Sequence, residues 1–516
     1  MAMDAGRESS SGTKPLQRLV SPLADERGGT RLLRATLYTL AGSMGRRCAA
    51  LVVGVLLARW LGREGLGIYA LLMSMCVLAA VPQPAVGLAI AKLVGEAEGA
   101  GQDERLGRLV GAGLSVGFGA LLMAAALYAG LRGPLSSGVY HEPLLRDLIP
   151  LGALYVVSFG FMELLGTVFQ GLKAFRLLNT LTLLSALVSP LAVITLVPSL
   201  GVRGAVLAPC LVSLLTAGGY VLALRAISWR RGIALCKWPD AASLRLLAGY
   251  SVPALLSGLV GPIAFWMANT LLVRSHGFDP LGLFNVANGL AGNLPFLAAA
   301  IGVPLVPMIS GASSGTAEEM AGLASRGLRA VVLSTLPFAL LLALYARPVL
   351  GFLYGEHFEP AAPLLILMSV ANLLIGVGSV LGSILIGGGA IWQALLINIV
   401  WMGGFLALSG YAVPRLGATG LALAFVLAYA AHMLILLICC RSRLGIIFEG
   451  LPVLGALVAV ALGGAAGLLA VGQPEVLRLV APLLILGVLL AERAVLTRNE
   501  RRSLSRWLRR EPVGAG

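Results

Sequence analysis

The chain has 516 residues, of which 58% are hydrophobic and only 12% charged, with a formal net charge of +15. A soluble domain carries roughly 25% charged residues, so this is the composition of a membrane protein. Its apolar runs leave almost no length for a soluble domain, which excludes a globular sugar-transfer enzyme and an ATP-driven pump with its GxxxxGK(S/T) phosphate loop.

Residues 1–30 lack the apolar core of a cleaved signal peptide and read as a disordered cytoplasmic leader. Apolar runs punctuated by charges and turn residues then predict spans near 33–60, 66–91, 106–131, 146–171, 176–198, 202–225, 246–273, 281–310, 327–346, 361–386, 390–409, 416–440, 450–471 and 476–496. The expected fold class is therefore an all-α integral membrane protein of about 14 transmembrane helices, each needing about 20 apolar residues. Residues 498–516 form a basic tail. The six cysteines show no CxxC spacing, so neither a disulfide nor a metal site is expected.

Charge gives the expected orientation. With a cytoplasmic N-terminus, the head, the even-numbered connections and the tail hold 27 of the 38 Lys and Arg, and the opposite face holds nine: Arg59, Arg63, Arg132, Arg146, Arg203, Arg274, Arg347, Arg415 and Arg478. This bias follows the positive-inside rule and predicts both termini in the cytoplasm. The Arg- and Trp-bearing stretches Ser228–Asp240 and Arg498–Arg510 read as anchors on an anionic inner leaflet rather than as nucleic-acid binders.

Self-similarity at one spacing is the most informative pattern. Arg59, Gly62, Leu66 and Gly67 recur 215 residues later as Arg274, Gly277, Leu281 and Gly282. At 216 residues, Gly160, Leu165, Gly166, Gly171 and Ala174 recur as Gly376, Leu381, Gly382, Gly387 and Ala390, and GVRGAVLA (Gly201 to Ala208) recurs as GATGLALA. Each glycine alone is explained by helix packing in lipid; the common offset is not. A repeat of six spans predicts two pseudo-symmetric six-helix bundles related by an axis along the membrane normal, a geometry suited to alternating access. The expected organisation is a leader (1–30), an N-terminal bundle (31–226), a cytoplasmic interfacial linker (227–245), a C-terminal bundle (246–440), helices 13 and 14 (441–497) and the basic tail (498–516).

The segment LARWLGREGLGIYALLMSM (Leu57 to Met75), with GVRGAVLA and LLGTVFQGL (Leu164 to Leu172), resembles the polysaccharide-transport, or Wzx-like, branch of the MOP exporter superfamily, which also holds the lipid II flippases and the MATE exporters. That resemblance implies a multi-pass transporter, not an enzyme, in the bacterial inner membrane. By the same resemblance, the expected activity is to move an undecaprenyl-diphosphate-linked oligosaccharide from the cytoplasmic to the periplasmic leaflet for surface or exopolysaccharide biosynthesis. It also implies no cofactor, a driving force from H+ or Na+ coupling, and association with a polysaccharide polymerase and glycosyltransferases. Where relatives carry acids in the second and seventh spans, this chain has Gln83 and Asn269.

Arg46 and Arg47 are the leading site candidates. Only 14 residues separate Cys48 from Leu61 inclusive, too few to cross, so any crossing first span contains both arginines. A central arginine costs roughly 2.5–3.5 kcal/mol on insertion scales and seeks a cavity or an anion. A guanidinium fork suits phosphate oxygens, and this predicts that Arg46 and Arg47 hold the carrier diphosphate; snorkelling to the interface is the alternative. Glu163, the one carboxylate deep in a predicted span, reads either as an ion-coupling site or as a partner of these arginines. Asn269, Asn285 and Asn288, together with Asn293, Asn372 and Asn398, offer amides for sugar hydroxyls or for interhelical hydrogen bonds. Trp266 and Trp401 suit sugar stacking or packing, and His432 reads as a core histidine. Two other functions fit the pattern less well: a MATE-like drug or metabolite antiporter, whose cavity should be acidic, and a membrane polymerase or ligase, whose large outer loop has no counterpart among outer connections of at most about 14 residues.

Overall fold

The computed structural model describes residues 28–232, 241–296, 317–387 and 390–444. The expected leader, much of the linker, helices 13 and 14 and the basic tail lie outside the described residues. The described helices are α1 (Gly28–Ala79), α2 (Pro82–Gly99), α3 (Asp103–Gly130), α4 (Pro143–Gly171), α5 (Phe175–Leu200), α6 (Val202–Arg231), α7 (Ala241–His276), α8 (Phe278–Ala291), α9 (Ala317–Leu344), α10 (Ala346–Tyr354), α11 (Ala362–Gly387) and α12 (Ile391–Leu444). Short π and 3-10 turns, Pro134–Val139 and Glu356–Ala361, precede α4 and α11.

Nine helices among the described residues are long and apolar enough to cross a membrane. Helix is the form expected of lipid-exposed chain, because it satisfies backbone hydrogen bonds within one segment. Two of the nine, Gly42–Ala79 and Trp392–Ser442, run through a glycine with non-helical backbone, Gly62 and Gly417. Each of those glycines stands where two predicted spans meet. Two features differ from expectation: the predicted span 281–310 is broken by a turn at Gly292–Asn293, and the predicted span 66–91 is interrupted at Ala80–Val81 before Pro82 restarts the helix. Pro82 and Pro84 sit in the opening turn of α2, where a missing N–H costs nothing.

The duplication is written into the backbone. Gly62 (φ 66°, ψ −170°) matches Gly277 (φ 80°, ψ −171°), and Gly201 (φ 57°, ψ −132°) matches Gly417 (φ 57°, ψ −133°). Only glycine adopts such positive-φ conformations without a Cβ penalty, so the same hinge is built at the same place in both halves. A second paired feature is close approach. A methyl at Gly67 would overlap the carbonyl oxygen of Phe278, and one at Gly282 would overlap that of Arg63. Gly204 and Gly420 repeat this relation against the carbonyls of Leu196 and Ala412.

The chain divides into two compact units, one of residues up to Leu61 and Leu71–Trp266, the other of Gly62–Ala70 and the residues from Met267. In the first unit α4 is the central helix, packed against α2, α3 and α6, while α5 packs on α6. Small residues make this possible: Cβ atoms built at Gly113, Gly117 and Gly160 would stand 2.5–2.7 Å from Ile90, Leu164 and Leu121, the small-residue packing expected of helices in lipid. In the second unit α11 is the buried centre, against α8, α9 and α12. An aromatic column of Trp401, Phe405, Phe425 and Tyr429 fills the space within α12, at centroid separations of 4.9–5.6 Å.

These contacts set the expected response to a single methyl group. Gly67→Ala and Gly282→Ala should each destabilise the protein by about 1–3 kcal/mol through overpacking. Gly249→Ala, where nothing lies within 4 Å, should stay within about 0.5 kcal/mol of the parent. Thermal unfolding of the three variants in detergent checks the contrast.

Candidate functional site

The site in the first unit is built on α1, α4, α5 and α6. Arg46 is exposed on α1 and Arg47 half-buried beside it. Glu163 is half-buried on the central helix α4, and Arg46 is the charged group whose field acts on it. Both charges also act on the hydroxyl of Tyr220, from α6. The structure thus brings the sequence-predicted Arg46 within electrostatic reach of Glu163, so that the two opposite charges act on each other. Arg47 feels the positive charge of Arg46, so the doublet repels itself and concentrates positive charge at one level of α1.

Three residues complete this polar layer that sequence reasoning missed. Thr182 Oγ1 and Tyr220 OH are 3.3 Å apart, and Tyr220 OH donates to the Leu178 carbonyl at 3.4 Å. The Tyr220 ring stacks on Phe169 of α4 at 5.2 Å, which fixes where its hydroxyl points. Asn179 faces α1 across Gly42, its Oδ1 lying 3.0 Å from a Cβ built there. Gly42 precedes Arg46 by one helical turn, so Asn179 and Arg46 share one face of α1. The Asn179 Nδ2 donor is buried without a hydrogen-bond partner, a costly state for an amide in an apolar surround. Its sequence context, KAFRLLNT, looks like the polar start of a span, and no spacing ties it to a residue about 140 positions earlier.

The remaining predicted residues are distributed differently. Trp266 falls in the first unit and donates its Nε1–H to Tyr140 OH at 3.1 Å. Asn269 is buried in the second unit with an unpartnered Oδ1, and Asn285 and Asn288 are half-buried on α8. Two asparagines are occupied by backbone: Asn293 Nδ2 donates to the Gly289 carbonyl at 3.1 Å, and Asn372 Nδ2 to that of Met368 at 2.8 Å. Trp401 packs in the aromatic column. His432 is half-buried rather than in the core, 3.2 Å from the Asn398 amide oxygen and edge-on to Tyr429.

Further ion pairs stand elsewhere in both units. Arg231 grips Glu98 through two hydrogen bonds of 2.7 and 3.1 Å, and Lys92 donates to Tyr250 OH at 2.9 Å. In the second unit Arg63 pairs with Asp279 at 3.8 Å and donates to the His357 carbonyl, which holds the start of the second span against α8.

A model of the family described as "Polysaccharide biosynthesis protein" matches residues 32–313. The chain is 25% identical over 292 residues to the lipid III flippase of Escherichia coli (strain K12), covering 54% of this chain and 67% of that protein, and equally to the lipid III flippase of Shigella flexneri. Among solved structures it is similar to the lipid II flippase MurJ in an inward closed conformation. The TM-score is 0.68 at 13% identity, over 88% of this chain and 98% of the other. A Vibrio cholerae MATE transporter, VcmN, superposes with a TM-score of 0.56 at 20% identity, over 80% and 97% of the two chains. The fold is thus the all-helical one of these MOP superfamily transporters.

The Arg46–Glu163 relation predicts a specific stability pattern. Glu163→Gln leaves the arginine uncompensated, and Arg46→Gln leaves the carboxylate so. The double variant should recover part of both losses, with a coupling of about 0.5–3 kcal/mol between the two positions. A double-mutant cycle on thermal unfolding measures it.

Proposed function

Because the chain belongs to the polysaccharide biosynthesis protein family, we propose that it is a flippase for a lipid-linked oligosaccharide. It carries an undecaprenyl-diphosphate-linked glycan from the cytoplasmic to the periplasmic leaflet of the bacterial inner membrane by alternating access, for surface or exopolysaccharide synthesis. The observation that carries this reading is the Arg46–Arg47 doublet inside the first membrane helix of a fold shared with the lipid II flippase MurJ. Two adjacent guanidiniums in a membrane segment concentrate positive charge, and a diphosphate is an anion with geometry matched to the guanidinium fork.

In this reading Arg46 and Arg47 hold the diphosphate. Asn269, Asn285, Asn288 and Trp266 contact the sugars. Trp266 offers a ring face with its Nε1–H already engaged, and Asn269 offers an unpartnered amide oxygen. Glu163 is the candidate ion-coupling residue: with Arg46 beside it, proton or sodium exchange at the carboxylate changes how strongly the arginine is neutralised, and so its grip on the substrate. The similarity to MATE transporters supports coupling to H+ or Na+, although the arginine doublet favours an anionic cargo over a MATE-like cationic one. Both termini lie in the cytoplasm, and a polymerase and glycosyltransferases act beside the protein in the same membrane.

Deletion of the gene should trap lipid-linked oligosaccharide on the cytoplasmic leaflet. Normal surface polysaccharide without such accumulation would defeat the proposal. R46A with R47A should abolish transport at normal expression in proteoliposomes loaded with the lipid-linked glycan. Glu163→Gln should remove the dependence of transport on the ion gradient, and full activity with unchanged ion dependence would assign Glu163 a structural role only.

A further inference from the structure

The first unit carries a second cluster of arginines at the end opposite the Glu98–Arg231 pair. Arg132 follows α3, Arg146 lies in the opening turns of α4, and Arg203 is the second residue of α6. With Asp147, Pro150 and Leu151 they line a shallow cavity of about 410 Å³, within the range of small-ligand pockets, about 300–1,000 Å³. Arg203 Nη2 is 2.6 Å from Asp147 Oδ2, so three guanidiniums share one carboxylate and the cavity keeps an excess of two positive charges.

Two observations argue that the fold does not require this arrangement. First, helix N-termini carry partial positive charge and favour anions. Glu142 already caps α4, its side chain accepting from the Leu144 N–H, but α6 has no acid in its first turn and brings Arg203 to that end instead. Charge and dipole oppose each other there, and a bound anion relieves both. Second, the duplication keeps the glycine hinge that starts α6, Gly201 repeating as Gly417, but it does not keep the cluster. Arg132 recurs as Arg347, whereas Arg146 and Arg203 are replaced by Ala362 and Thr419 at the 216-residue offset. The scaffold therefore folds without these side chains at the equivalent place.

We propose that Arg132, Arg146 and Arg203 form a second anion site that takes a phosphate or diphosphate group, with Asp147 as an internal competitor for Arg203. The chemistry is that of guanidinium forks on phosphate oxygens. One source of the group is the headgroup of the lipid carrier, in which case the site rests on the flippase reading and receives the diphosphate at the exit end. The other is free inorganic diphosphate. Asp147 sets the strength: it occupies Arg203 when the site is empty and yields it to a more highly charged anion, which keeps binding weak enough for release.

The test is isothermal titration calorimetry on the full chain in phosphatidylcholine nanodiscs, in an R46Q/R47Q background so that only the outer cluster reports. The probes are inorganic diphosphate and farnesyl diphosphate. R146Q/R203Q should weaken binding by about tenfold or more. Asp147→Asn should tighten it severalfold, a gain that a misfolded variant cannot produce. Farnesyl diphosphate binding at least about tenfold tighter than inorganic diphosphate assigns the site to the lipid headgroup, and equal binding assigns it to the free anion. Absence of binding by both probes, or binding indifferent to R146Q/R203Q and to D147N, overturns the proposal. Transport of lipid-linked oligosaccharide by the wild-type protein in proteoliposomes reports on the flippase reading separately. No transport with intact, Asp147-sensitive binding removes that reading and keeps the site; transport without such binding removes the site alone.

Discussion

Backbone approaching backbone, with no side chain between, is the constraint on which this structure rests. Gly67 lies against the carbonyl of Phe278 and Gly282 against that of Arg63, so the starts of the two corresponding helices cross at a distance only glycine permits. Apolar side chains provide little net drive for helix association in lipid, because the acyl chains are equally apolar. Van der Waals contact over closely approaching backbones takes over that role. The same device recurs at Gly204 and Gly420, where consecutive helices fold back on each other. The positive-φ glycines at 62, 277, 201 and 417 supply the turns that bring the helices to those crossings.

Around this frame, charges and most polar groups are answered by others, while Asn179 Nδ2 and Asn269 Oδ1 are left without a hydrogen-bond partner. The central helix α4 carries Glu163 into the first unit, and α1 brings Arg46 to it. Tyr220 and Thr182 share a hydrogen-bonded layer below. Removing either charge exposes the other to a medium that solvates it poorly. A change at the carboxylate is therefore felt at the arginine, which is the physical basis for coupling an ion to an anionic cargo.

The helices among the described residues were legible because helix length and apolar composition are local properties. The repeat was legible because its glycines are required by backbone conformation and close approach, which tolerate no substitute. The interruption before Pro82 was less so: Val81 and Ala80 are ordinary helix residues, and only the proline marks the break. Within the site, Arg46 and Glu163 stood out as charges in apolar runs. Asn179, Thr182 and Tyr220 did not, since a single amide or hydroxyl costs little enough in a membrane helix to leave no mark on composition. Trp266 joins Tyr140 through a pairing across 126 residues of sequence.

Net charge was the first datum and it divides into three kinds. Most of the 38 basic residues sit beside apolar runs in the pattern the positive-inside rule describes, and the sequence by itself shows that pattern together with the duplication and the anomaly at Arg46 and Arg47. Which of those charges meet was decided only in three dimensions. Arg132 and Arg146 flank one connection and Arg203 opens a later helix, yet the three line one cavity, and the charge of Arg46 reaches Glu163 across more than 100 residues of sequence. The reason is physical: insertion into the membrane depends on each segment's own transfer free energy, whereas ion pairing and anion binding depend on distances between segments, which only helix packing sets.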